Sequence, residues 1–159
     1  MGRAVANQEH REDRTQRQST PTPRPLVVVG VDGSPSSLRA LDWAAHYVEP
    51  THAVLRVVTA WQWPLMFGPL IFPEKVNPKI DAEDIQARAL ERRFGSELPS
   101  DVEALVVEGH PTPTVLNAAK GAELLVLGTR GHGGFGGLLL GSVSEHCART
   151  AECSVVIVR

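Results

Sequence analysis

Cysteine is scarce: Cys147 and Cys153 are the only two in 159 residues. Two thiols do not make a disulfide framework in a chain of this length, and a reducing cytoplasm is the simplest setting for them. No run of about 18 apolar residues occurs, so no membrane span is predicted. The N-terminus lacks the apolar stretch of a secretory signal. Charge of one sign is lacking too. Sixteen Lys plus Arg against 18 Asp plus Glu give 16 − 18 = −2, which excludes the strongly basic footprint of a nucleic-acid binder. The Gly-x-x-x-x-Gly-Lys-Ser/Thr pattern of a P-loop is absent, and the six histidines and two cysteines lack metal-ligand spacing.

What is present begins with a contrast. Residues 1–24 mix charge with Gln, Ser, Thr and Pro and carry almost no large apolar side chain. Such a stretch cannot bury enough surface to offset the entropy of ordering, so a disordered tail is predicted there. From Pro25 onward the chain reads as one domain, 25–159. Leu26–Val31 is a continuous apolar, β-branched run of the kind that suits a strand buried on both faces. Ala53–Ala60, Ala104–Val107, Glu123–Leu127 and Ser154–Val158 resemble it.

Helical patterns lie between these runs. Ser34-Pro35 is a start signal, with Leu38, Leu41, Ala45 and Val48 following at spacings of three and four. Asp81 to Phe94 places acids first and arginines last, with Gly95 as a stop. Thr112-Pro113 opens a shorter helix ending near Lys120-Gly121, and Ser142–Ala151 is the last. Strand alternating with helix predicts an α/β fold, an open five-stranded parallel sheet with right-handed crossovers and helices on both faces. The segment from Trp61 to Pro78, rich in proline and aromatics, interrupts the alternation as a long connection that covers a pocket or a partner surface, or caps one end of the sheet.

Seven of the 14 glycines fall between Gly128 and Gly141. In an open parallel sheet, ligands bind beyond the carboxyl ends of the strands where the strand order reverses. Two segments qualify: Gly30-Val31-Asp32-Gly33-Ser34 after the first strand and Gly128-Thr129-Arg130-Gly131 after the fourth. Gly128, Gly131 and, after nine residues, Gly141-Ser142 let backbone N–H groups approach an anion, and Gly141-Ser142 opens a helix whose free amides favour phosphate. Arg130 adds charge or simply faces solvent. Asp32 is either a turn residue or a carboxylate for a ribose hydroxyl or an adenine amine. Ser142-x-x-Glu145 is equally a capping box, which satisfies a helix start with no ligand. Gly131-x-Gly133-x-x-Gly136 matches the dinucleotide pattern by letter alone, since it does not open a helix and lacks the later acid.

Val28-Val29-Gly30-Val31-Asp32-Gly33-Ser34 at the front, with Gly128-Thr129-Arg130-Gly131-His132-Gly133-Gly134 and Leu140-Gly141-Ser142-Val143-Ser144 at the back, resemble the universal stress proteins of the nucleotide-binding kind. The likeness covers residues 25–159. That family's ATP signature is Gly, two residues, Gly, nine residues, Gly, then Ser or Thr, and Gly128, Gly131, Gly141 and Ser142 match it in full. The resemblance implies a Rossmann-like fold (the adenine nucleotide alpha hydrolase-like group) with strand order 3-2-1-4-5. It also implies bound ATP, commonly with Mg²⁺. Carried over by position, Asp32 meets the ribose or adenine end, and the Ala60 backbone meets adenine. Gly128, Gly131, Gly141, Ser142, Val143 and Ser144 surround the phosphates. No residue is assigned to the metal. Family members pair as homodimers through the last strand, here Ser154–Val158. The family's Pro-Cys-Pro before that strand is replaced by Glu152-Cys153-Ser154.

A regulatory ATP-binding protein of the stress response is the leading expectation. A slow ATPase or nucleotidyl transferase is one alternative, although the His-x-Gly-His pattern of such transferases is missing after the first strand and neither loop carries an evident general base. A dimeric interaction module without nucleotide is the other.

Overall fold

The computed structural model describes residues 24–63, 77–129 and 140–159. The predicted tail up to residue 23 and most of the connection between residues 61 and 78 lie outside the described residues, as does the centre of the glycine-rich window. Among the described residues, nine elements alternate in the order β1 (Leu26–Gly30), α1 (Pro35–Thr51), β2 (Val54–Trp61), α2 (Pro78–Phe94), β3 (Val102–Glu108), α3 (Pro111–Ala118), β4 (Leu124–Gly128), α4 (Ser142–Thr150) and β5 (Ser154–Val158). The strands form one parallel sheet in the order β3-β2-β1-β4-β5. This is the expected order, with β1 and β4 side by side in the centre.

The central strands are apolar on both faces because both faces are covered. Val27 and Val29 of β1 and Val126 of β4 join Leu41, Ala44 and Val48 of α1 and Ala89 of α2 in one core. Val28 and Leu125 join Val58, Val115 of α3 and Cys147 of α4 in the other. The chain therefore winds from β1 to β3 with α1 and α2 on one face, and reaches β4 and β5 with α3 and α4 on the opposite face. The reversal falls between β1 and β4. One buried polar side chain stitches α2 to the sheet: Gln86 Nε2 donates to the carbonyls of Val57 (3.1 Å) and Leu105 (2.9 Å).

The helix starts follow local chemistry. Ser34 caps α1 by accepting from the Ser37 amide, with Pro35 in the first turn. The second helix begins one turn earlier than the acid-first pattern predicts. Asn77 accepts from the Lys79 and Ile80 amides and Pro78 follows it, an N-cap and proline pair inside the stretch read as loop. At its other end Gly95 stops the helix with φ 81°. The third helix starts at Pro111 rather than Thr112-Pro113 and ends at Ala118, short of Lys120-Gly121. Trp61, read as loop, is the last residue of β2, where its carbonyl accepts from the Gly109 amide at 2.7 Å.

Candidate functional site

All strands run the same way, so the residues singled out after β1, β2 and β4 share one edge of the sheet, where the helices begin. Each helix presents the positive end of its dipole to that edge. Asp32 leaves β1 there. Its Oδ1 accepts from the Ser34 amide at 3.0 Å, and its own amide donates to Ser37 Oγ at 3.3 Å. The carboxylate is thus held over the start of α1 by a turn that passes through Gly33 at φ 82°. The turn-residue reading of Asp32 is seen in its bond from the Ser34 amide. Ala60, half-buried near the end of β2, pairs with Val107 of β3 and is separated from β4 by β1.

Gly128 ends β4 and is buried. A Cβ on it would lie 2.6 Å from the Ser36 backbone carbon and 2.7 Å from the Ser37 nitrogen. The first turn of α1 rests directly on this residue, which explains glycine here without any ligand. The carbonyl of Gly128 accepts from Ser144 Oγ at 2.6 Å, and the Gly141 amide donates to the Thr129 carbonyl at 2.6 Å. These two bonds clasp the ends of the glycine-rich window together. Thr129, buried and unremarked in the sequence, also donates its amide to Val158 at 3.0 Å and so ties the window to β5. Its only signal was its place between strand and glycines.

Gly141 is the N-cap of α4, and Ser142 is the first helical residue. The capping-box reading of Ser142 and Glu145 therefore fails by one residue. It needs serine at the cap, but glycine occupies it and no side chain caps the helix. Among the described residues no side chain caps the leading turn of α4, at Ser142, Val143 and Ser144, and a helix start of this kind favours an anion. Gly141 has φ −77° and ψ 158°, a backbone open to any residue, so its small size rather than its flexibility suits it to this place. Arg130 and Gly131 lie outside the described residues. Among the described residues no group of three or more His, Cys, Asp and Glu side chains could hold a metal ion, and no helix is long and apolar enough to cross a membrane.

The two cysteines belong to packing. Burial raises the pKa of Cys147 first, and nearby Cys153 raises it further. Burial also raises that of Cys153, against backbone hydrogen bonds that lower it. Both changes disfavour the thiolate, the reverse of an activated nucleophile.

The model of the universal stress protein family matches residues 25–159. A universal stress protein of Thermus aquaticus is 34% identical over 137 residues, covering 84% of this chain and 97% of its own. One from Mycobacterium tuberculosis is 36% identical over 144 residues, covering 86% of this chain. This chain spans only 44% of the length of that longer relative. Among solved structures, a universal stress protein in complex with cAMP superposes with a TM-score of 0.64 at 30% identity, covering 87% of this chain and 99% of its own. With the family's sheet order, its glycine spacing and a domain-length match, the chain belongs to the universal stress protein family.

Proposed function

We propose that this protein binds ATP at the edge where β1 and β4 diverge and serves a regulatory role in the stress response. The observation that carries the reading is the start of α4. Its leading amides have no side-chain cap, its cap residue is a glycine, and it faces the point where the sheet's winding reverses. A related universal stress protein is bound to cAMP, which supports an adenine nucleotide as ligand.

In this reading the amides of Ser142, Val143 and Ser144 receive the phosphates, with Gly128, Arg130, Gly131 and Gly141 around them. Asp32 takes a ribose hydroxyl or the adenine amine, and the Ala60 backbone borders the base. The bond from Ser144 to Gly128 fixes the start of α4 against the end of β4, which preorganises those leading amides. Mg²⁺ rides on the phosphates, where it offsets their charge. The protein works in the cytoplasm as a homodimer through β5, whose outer edge offers unpaired backbone groups to a second copy.

Calorimetry with ATP, ADP, AMP and cAMP on wild type and Gly141→Asp tests the binding. An aspartate at the N-cap suits the helix but sets a negative charge where the phosphates sit. The expected result is micromolar ATP binding by wild type, loss in the variant, and a melting temperature equal or higher. A wild type that binds no adenine nucleotide, or a variant that binds as wild type does, overturns the reading. Light scattering checks the dimer.

A further inference from the structure

On the face of the sheet covered by α1 and α2, the two helices leave a groove of about 320 Å³, within the range of small-molecule sites. Gly33, Leu38, Ile85 and Ala89 line it. Arg88 and Arg92, one turn apart on α2, stand along it. The two guanidiniums differ. Arg92 Nη2 is held by Asp42 Oδ2 at 2.6 Å. Arg88 donates its Nε to the Asp84 carbonyl of its own helix at 3.2 Å, and among the described residues no carboxylate forms an ion pair with it.

An apolar floor beside an unanswered cation selects its ligand by exclusion. A purely apolar molecule leaves the Arg88 charge unused, and a compact polar anion leaves the half-buried Leu38 and Ile85 facing water. A cation is repelled by Arg88, while Arg92 is already answered by Asp42. We propose that the α1–α2 groove binds a small amphipathic anion, an aliphatic chain laid on Leu38, Ile85 and Ala89 with its carboxylate on Arg88. The planar guanidinium fits a carboxylate through two parallel N–H···O bonds. This is a second site, beyond the nucleotide reading, and it stands whether or not ATP binds. Gly33, which lines the groove, follows Asp32 directly, so both sites border one turn.

Decanoate, decanol and decyltrimethylammonium, titrated into the full chain and followed by amide chemical shifts and calorimetry, test this. Decanoate is expected to bind saturably with shifts centred on Gly33, Leu38 and Ala89. Decanol, with the same chain and no charge, is expected to bind about tenfold or more weakly, and the cationic analogue not at all. Arg88→Gln is expected to weaken decanoate about tenfold while leaving the melting curve unchanged, since Arg88 is exposed. Arg88→Lys should restore part of the loss. Absence of saturable decanoate binding, equal affinity for decanoate and decanol, shifts centred away from the groove, or an Arg88→Gln protein that binds as wild type does overturns the proposal.

Discussion

The hydroxyl of Ser144, in the first turn of α4, donates a 2.6 Å hydrogen bond to the carbonyl of Gly128, the last residue of β4. Both residues are buried, and the bond spans the whole glycine-rich window. Ser144→Ala removes the donor and leaves a buried carbonyl without it. The expected cost is about 1–3 kcal/mol of stability, read as a lower urea midpoint with an unchanged slope. If the clasp also aims the α4 amides, ATP affinity falls as well, while Ser144→Thr retains both. A Ser144→Ala protein as stable as wild type would show that the clasp contributes nothing.

Gly128 is expected to resist any side chain. The space its Cβ would need is taken by the Ser36 and Ser37 backbone, which cannot rotate away as a side chain would. Gly128→Ala should therefore destabilise by about 1–3 kcal/mol or more, measured by denaturation before any ligand is added. That separates it from Gly141→Asp, which is expected to lose binding while keeping its stability.

Tyr47 is the only tyrosine in the chain, so a spectrophotometric titration reports it alone. Its hydroxyl donates to Glu123 Oε1 at 3.1 Å. That hydrogen bond, then the carboxylate's charge, then burial raise the phenol pKa above its ordinary value. Glu123→Gln is expected to bring the titration midpoint back down. A midpoint unchanged by the substitution would show that the two side chains do not interact in solution.

Alkaline pH is expected to weaken the fold through its thiols. Cys147 and Cys153 both have raised pKa values in the folded protein, chiefly through burial. A group of this kind contributes stability that is fully present below its unfolded pKa, about 8.5 for a thiol. That contribution is lost as pH rises through the folded value. Urea midpoints measured from about pH 7 to about pH 10 should fall over the upper part of that range. The fall should be shallower in Cys153→Ser, which avoids opening a cavity at the buried Cys147. An identical decline in both proteins would assign the effect to other groups.

Much of the fold was legible because its signals are local. The apolar runs at Leu26, Glu123 and Ser154 marked strands within a residue or two of their ends, and Ser34-Pro35 marked the start of α1. Asn77-Pro78 carries the same kind of start signal, but it was absorbed into a proline-rich stretch and so went unread. The strand order came from family resemblance rather than from pattern, since nothing in β4's own residues says that it neighbours β1. The glycine spacing pointed to the edge where the clasp lies, yet it did not distinguish the roles of the glycines.

Residue pattern alone determined which segments are strands, which are helices, and that the sheet is parallel and covered on both faces. Periodicity and capping act between residues a few positions apart. Only the tertiary structure decided that Gly128 yields its side-chain space to α1, that Gly141 rather than Ser142 caps α4, and that Ser144 reaches back to β4. It also decided that, among the described residues, no carboxylate pairs with Arg88 beside the α1–α2 groove. These follow from packing between elements far apart in the chain, where the partner's position is set by the sheet order and not by any neighbour in sequence.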